Sequence, residues 1–158
     1  MKIFIIPGGG ENTDLKSYKD LIRGLRNLGY TVVSINPKWE LPLSKQIFKV
    51  GKNDIVFGFS RGALLAYMVT KKYPCKSVIL ASMTPLRNFS KKAIYNYYGK
   101  ESADNLLKIK FVGNKTPKVH IAGELEEIKA DIYVPRTGHH LTKSYIKYII
   151  NLLKNKGD

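Results

Sequence analysis

Residues 58–62 read Gly-Phe-Ser-Arg-Gly, a serine centred between two glycines. A serine alcohol is a poor nucleophile at neutral pH. It needs an adjacent base to take its proton and preorganised N–H donors to hold the oxyanion it creates. A Gly-x-Ser-x-Gly turn between a strand and a helix supplies that geometry. The glycines let the two elements close on a sharp bend, Ser60 stands exposed above the sheet, and the N–H of Arg61 aims at the oxyanion. The bland alternative is a glycine-flanked bend with no chemistry. Downstream lie the three histidines, His120, His139 and His140, and a run holding Glu124, Glu126 and Glu127. The lone Cys75 cannot close an intramolecular disulfide and no Cys/His cluster has metal-ligand spacing, so neither a metal nor an organic cofactor is implied.

The elements around these residues read as alternating strands and helices. "KIFII" is a short buried strand ended by the breakers "PGGG". Leu15, Tyr18, Leu21, Ile22, Leu25 and Leu28 then recur at helical spacing, with Asn12 and Thr13 as caps and Gly29 at the stop. "YTVVSI" is a second strand, "NPKWELPL" a loop, and "SKQIFKV" a short helix capped by Ser44 and closed by Gly51. "DIVFG" leads into the serine turn, "RGALLAYMVTKKY" is a helix ended by Pro74, and "SVILAS" is a fourth strand. Two helices follow, one after Ser90 and one after Ser102. "KVHIAG" and "DIYV" are the fifth and sixth strands, and a helix after Thr142 stops near Gly157. Apolar strands without polar alternation imply a sheet covered on both faces, hence a three-layer α/β sandwich with a mostly parallel sheet. Ligands of such sheets bind beyond the carboxyl ends of the strands, near Gly8–Asn12, Asn36–Pro37, Phe59–Gly62, Met83–Pro85, Gly123–Glu127 and Pro135–His140.

In this order the motifs resemble those of the α/β-hydrolase superfamily, over essentially the whole length. The resemblance implies a six-stranded sheet of order 2-1-3-4-5-6, the superfamily's core without its two leading strands. It makes Ser60 the nucleophile and the Arg61 N–H one oxyanion donor. "IIPGGGEN" resembles the loop carrying the second donor, which maps to Gly9, with Gly10 alongside because the register of a triple glycine is ambiguous. "TGHHL" resembles the Gly-His step that carries the base, selecting His139 with His140 in reserve. His120, inside a strand, reads as a packed side chain. "HIAGELEEI" resembles a Gly-x-x-Asp pattern and places the acid at Glu126, with Glu124 and Glu127 as rivals. The implied activity is cleavage of a carboxylic ester or thioester in a small-molecule acyl substrate through an acyl-enzyme. Acyl transfer and peptide cleavage would use the same constellation.

Two departures stand against the pattern. Only eight residues separate "KVHIA" from "DIYV", whereas a parallel crossover usually needs a dozen or more. The link is therefore a compressed loop with a single helical turn, a shortened last strand, or an antiparallel one. The segment that usually forms a lid is also short, giving an open site in which Tyr95, Tyr97 and Tyr98 either line an acyl pocket or pack, and Trp39 either rims the cleft or caps the core.

At 158 residues the chain fits one domain, spanning 1–158. Its net charge of +15 comes from basic residues scattered through every segment, which reads as a solvated basic surface rather than a nucleic-acid site. The alternative function is a catalytically lapsed scaffold that binds nucleic acid or an acidic partner through that surface. A third reading, a nucleotide-binding α/β protein with "PGGGENT" around a phosphate, has the wrong glycine spacing. No apolar run approaches the length of a membrane span, and the single cysteine fits a reducing, cytoplasmic setting.

Overall fold

Six strands pair side by side, all parallel, in the order β2-β1-β3-β4-β5-β6. They are β1 (Lys2–Ile6), β2 (Thr31–Ser34), β3 (Ile55–Phe59), β4 (Ser77–Ala81), β5 (Lys118–Gly123) and β6 (Ile132–Val134). The computed structural model describes residues 1–83 and 90–155, without the side chains of residues 97, 102 and 105. The expectations placed on Pro85, on the Tyr97 side chain and on Gly157 lie outside the described residues.

Every residue of β3 and β4 is buried, because alternate positions feed two separate cores. On one face Ile3, Ile5, Ile55, Phe57 and Ile79 pack with Tyr18, Leu21 and Leu25 of α1 (Lys16–Asn27) and Tyr145, Ile149 and Leu153 of α5 (Lys143–Lys154). On the other, Phe4, Ile6, Val56, Val78 and Leu80 meet the Ala63–Tyr67 stretch of α2 (Arg61–Lys72). Leu106 of α4 (Lys100–Leu107), which follows α3 (Lys91–Tyr98), joins the same core. The three-layer arrangement and strand order agree with those expected from the sequence. Among the described residues, no helix is long and apolar enough to cross a membrane.

The compressed crossover is a loop with no helix, and β6 runs parallel to β5. Its shortness is possible because β6 pairs only Ile132–Val134 with Ile121–Gly123. The chain has to retreat by about three strand residues, roughly 10 Å. Residues 124–131 reach twice that when extended. Side chains then close the loop. The His120 N–H donates to Asp131 Oδ2 at 2.8 Å, the Ala130 N–H donates to Tyr133 Oη at 3.0 Å, and Tyr133 Oη donates to the Ile128 carbonyl at 3.1 Å.

Several local signals played other parts than expected. α1 begins at Lys16 without a side-chain cap; the Thr13 N–H and hydroxyl both donate to Asn36 Oδ1, tying the loop to the end of β2. "SKQIFKV" yields one 3-10 turn, Leu43–Gln46, with Ser44 inside it rather than capping it. α4 starts at Lys100, ahead of Ser102, after Gly99 turns the chain at φ 72°. Ser90 and Thr142 do cap their helices, accepting from the N–H groups of Ala93 and Tyr145.

Candidate active site

The register brings Ile6 beside Gly58, Phe59 beside Ala81 and Gly123 beside Val134, so the segments that leave these strands share one edge of the sheet. Ser60 follows β3 immediately and holds φ 53°, ψ −120°, a left-handed conformation that costs a non-glycine residue energy. The neighbouring glycines make the bend possible. A methyl group on Gly58 would lie 2.3 Å from the Gly62 carbonyl oxygen, and one on Gly62 would lie 2.1 Å from that of Pro7. The Ser60 N–H donates to the Ala81 carbonyl at 2.8 Å, which fixes the turn to the next strand.

Above that turn, His139 Nε2 lies 2.7 Å from Ser60 Oγ, and His139 Nδ1 lies 2.6 Å from Glu126 Oε1. A carboxylate only accepts, so the proton belongs on Nδ1 and Nε2 is left to accept from the Ser60 hydroxyl. The Glu126 side chain is 5% exposed and that of His139 48% exposed. Burial alone would push the Glu126 carboxyl up. Hydrogen bonds from His139, Ser82 and the Gly123 N–H outweigh it and hold the group below the ordinary glutamate range. Phe59 packs its ring 5.4 Å from the imidazole, limiting how His139 turns.

The rivals lie elsewhere. His140 is exposed, with its N–H donating to the Gly138 carbonyl, and it is His139 whose ring meets both Ser60 and Glu126. Glu124 Oε2 accepts from the Arg136 N–H at 2.8 Å and so braces the loop leading to His139. Glu127 is exposed. His120 stays in β5, half-buried, its imidazole pushed down by that burial even though Asp131 acts in the opposite sense.

Solved structures share this architecture. The chain is similar to alpha/beta hydrolase domain-containing protein 10 from mouse at TM-score 0.73 and 16% identity, covering 99% of this chain and 89% of that one. It is similar to Est1E from Butyrivibrio proteoclasticus at TM-score 0.73 and 11% identity, covering 98% and 86%. A third is MGS-MChE2, an alpha/beta hydrolase enzyme from the metagenome of lagoon sediments of Mar Chica, Morocco, at TM-score 0.62 and 18% identity, covering 100% and 92%. The chain has the α/β-hydrolase fold. No protein-family model matches its sequence, and no curated protein matches it either.

Within this α/β-hydrolase fold the glycine loop after β1 faces the serine turn. A methyl group on Gly9 would meet Arg61 Cδ at 3.2 Å and Arg61 Cβ at 3.3 Å, so Gly9 borders Arg61. Gly10, at φ 77°, has open space at the same point. Sequence reasoning passed over Glu11, which organises this loop. Glu11 Oε2 accepts from the Gly8 N–H at 3.0 Å and from Tyr18 Oη at 2.5 Å, and the Tyr18 oxygen accepts a second contact from the Gly8 N–H at 2.9 Å. Trp39 is half-buried and donates Nε1–H to the Glu11 carbonyl at 2.9 Å. Its ring lies 5.4 Å from the Arg61 guanidinium carbon, and Tyr98 lies 5.0 Å from that carbon. Trp39 and Tyr98 therefore flank Arg61 while packing against the core on the α2 side of the sheet. Tyr95 donates instead to Asp104, joining α3 to α4. The signal for Glu11 was its place directly after the third glycine, where a carboxylate can fold back onto the loop's own N–H groups.

Proposed function

We propose that this protein is a serine hydrolase that cleaves a carboxylic ester or thioester of a small acyl substrate through an acyl-enzyme. One observation carries the reading: the unbroken hydrogen-bonded chain from Ser60 Oγ through His139 to Glu126, at 2.7 and 2.6 Å. The similarity to solved α/β hydrolases supports it at the level of fold. Ser60 Oγ attacks the carbonyl carbon while its proton passes to His139 Nε2. The N–H groups of Arg61 and Gly9 hold the oxyanion. As the tetrahedral species collapses, the bond to the leaving group breaks and His139 gives its proton to the departing alcohol or thiol. Water then attacks the acyl carbon, delivering its proton to His139. Collapse of the second tetrahedral species frees the acid and returns that proton to Ser60 Oγ. Glu126 holds the Nδ1–H tautomer and stabilises the imidazolium formed in each half-reaction.

Stopped-flow mixing with p-nitrophenyl acetate tests this. The expected result is release of p-nitrophenolate with a covalent acetyl group found on the Ser60 peptide after acid quench. Release at the buffer rate, with no acetylated peptide, overturns the proposal.

A further inference from the structure

The α/β-hydrolase fold here lacks a helix between β5 and β6, yet the acid it would help to place is well anchored from another direction. Ser82, directly after β4, is fully buried and sits at φ 44°. Its N–H donates to the Ile121 carbonyl at 2.7 Å, which locks the residue to β5. Its Oγ lies 2.6 Å from Glu126 Oε2 and 3.0 Å from Tyr145 Oη, and Tyr145 Oη donates to the Ile121 carbonyl at 2.7 Å. The two hydroxyls bring two hydrogens to three contacts. The carboxylate only accepts, so it takes the Ser82 hydrogen, and that of Tyr145 is shared between the Ile121 carbonyl and Ser82 Oγ. The Gly123 N–H, 2.6 Å away, completes the hold on Glu126 Oε2, leaving Oε1 to face His139.

We propose that Ser82, backed by Tyr145 of α5, is a positioning residue that aims Glu126 at His139 and replaces the support of the absent crossover helix. The proposal rests on the Ser60–His139–Glu126 reading above. Two further features point the same way. A left-handed backbone is strained for serine and free for glycine, so the hydroxyl has to offset a conformational cost at this strand end. Tyr145 is also fully buried, and its phenol is pushed up by that burial, so it stays a neutral partner for Ser82.

Three variants, Ser82→Gly, Ser82→Ala and Tyr145→Phe, separate this role from a merely structural one. Ser82→Gly removes the hydroxyl and relieves the backbone strain together, so its thermal midpoint stays equal to or above that of the wild type. The direct readout is the downfield proton resonance of His139 Nδ1–H in the folded, resting protein. It should be present in the wild type and lost or moved upfield in Ser82→Gly and Ser82→Ala. On p-nitrophenyl acetate, both Ser82 variants should lose about 10-fold in kcat at unchanged KM, and Tyr145→Phe about 3-fold. A wild-type resonance and kcat in Ser82→Gly overturn the proposal, as does a lowered midpoint with the resonance unmoved. A wild-type protein that shows the resonance but turns over no ester contradicts only the hydrolase reading, because the resonance reports the Glu126–His139 contact whether or not Ser60 reacts.

Discussion

The Ser60 side of the site and the Glu126–His139 side meet at one edge of the sheet but are built by different means. Around Ser60, five contiguous residues carry the geometry: a buried strand, two glycines whose Cβ positions are filled by backbone, and a helix that starts at once. No crossover helix supports Glu126, and the acid is placed by hydrogen bonds from three residues, Gly123 at the end of β5, Ser82 after β4 and His139 from the loop after β6, with Tyr145 of α5 bonded in turn to Ser82. One side is encoded by neighbours in the chain. The other is encoded by partners up to 44 residues from Glu126, as the Ser82 contact shows. The proposed chemistry depends on both, but they should fail differently.

The largest expected effects fall on the groups proposed to react. Ser60→Ala and His139→Ala should each cost about 10⁶-fold in kcat, since such groups act as a unit. His140→Ala should leave kcat unchanged, because His139 makes the contacts to both Ser60 and Glu126; equal losses from both histidine variants in an ester assay would erase the distinction. Glu126→Gln should cost less, about 10⁴-fold, by favouring the wrong imidazole tautomer. The same substitution has a pH signature. The folded-state carboxyl is held below its unfolded value, so its stabilisation is fully present above the unfolded pKa of about 4.3 and is lost as pH falls through the lowered folded value. Acid unfolding of Glu126→Gln, followed by circular dichroism, should lack that component.

Smaller effects separate the two sides by stability. Gly62→Ala drives a methyl group into the Pro7 carbonyl and should cost about 3 kcal/mol in urea unfolding. Asp131→Asn weakens one hydrogen bond of the crossover and should cost about 1 kcal/mol. If the order reverses, the crossover carries more of the fold than the serine turn does. His120→Gln gives the smallest change. Its imidazole is held below the unfolded value of about 6.5, so the wild type loses stability as pH falls below that value, and the variant should titrate more flatly there.

This contrast also explains what could be read from the sequence. The layered α/β class and the Ser60 turn follow from short contiguous signals, namely apolar strands without alternation and Gly58 and Gly62 flanking a strand-to-helix step, whereas the strand order came only from the resemblance to α/β hydrolases. Glu126 and His139 could be named only through the resemblance of "HIAGELEEI" and "TGHHL" to the family's acid and base motifs, with Glu124, Glu127 and His140 left as rivals. Their separation depends on a hydrogen-bond geometry between segments. The β5–β6 link read as strained because the usual crossover length assumes full-length strands, and a three-residue β6 removes that assumption. Ser82 and Tyr145 carried no signal of their own, and Glu11 only its place after the third glycine. A serine after a strand, a tyrosine on an apolar helix face and a glutamate in a loop are ordinary until folding brings them to one carboxylate or one glycine loop. Local caps were the least legible feature, since Thr13 turned to Asn36 rather than to the helix beside it.

Fluorophosphonate labelling of the folded protein, read by intact mass and peptide mapping in the wild type, His139→Ala, His140→Ala and Glu126→Gln, tests the central claim most directly. Stoichiometric modification at Ser60 in the wild type and His140→Ala, its loss in His139→Ala and slowing in Glu126→Gln is the predicted result. A folded wild-type protein that stays unmodified would show that Ser60 is not an activated nucleophile, and the hydrogen-bonded chain would then be architecture without the chemistry assigned to it.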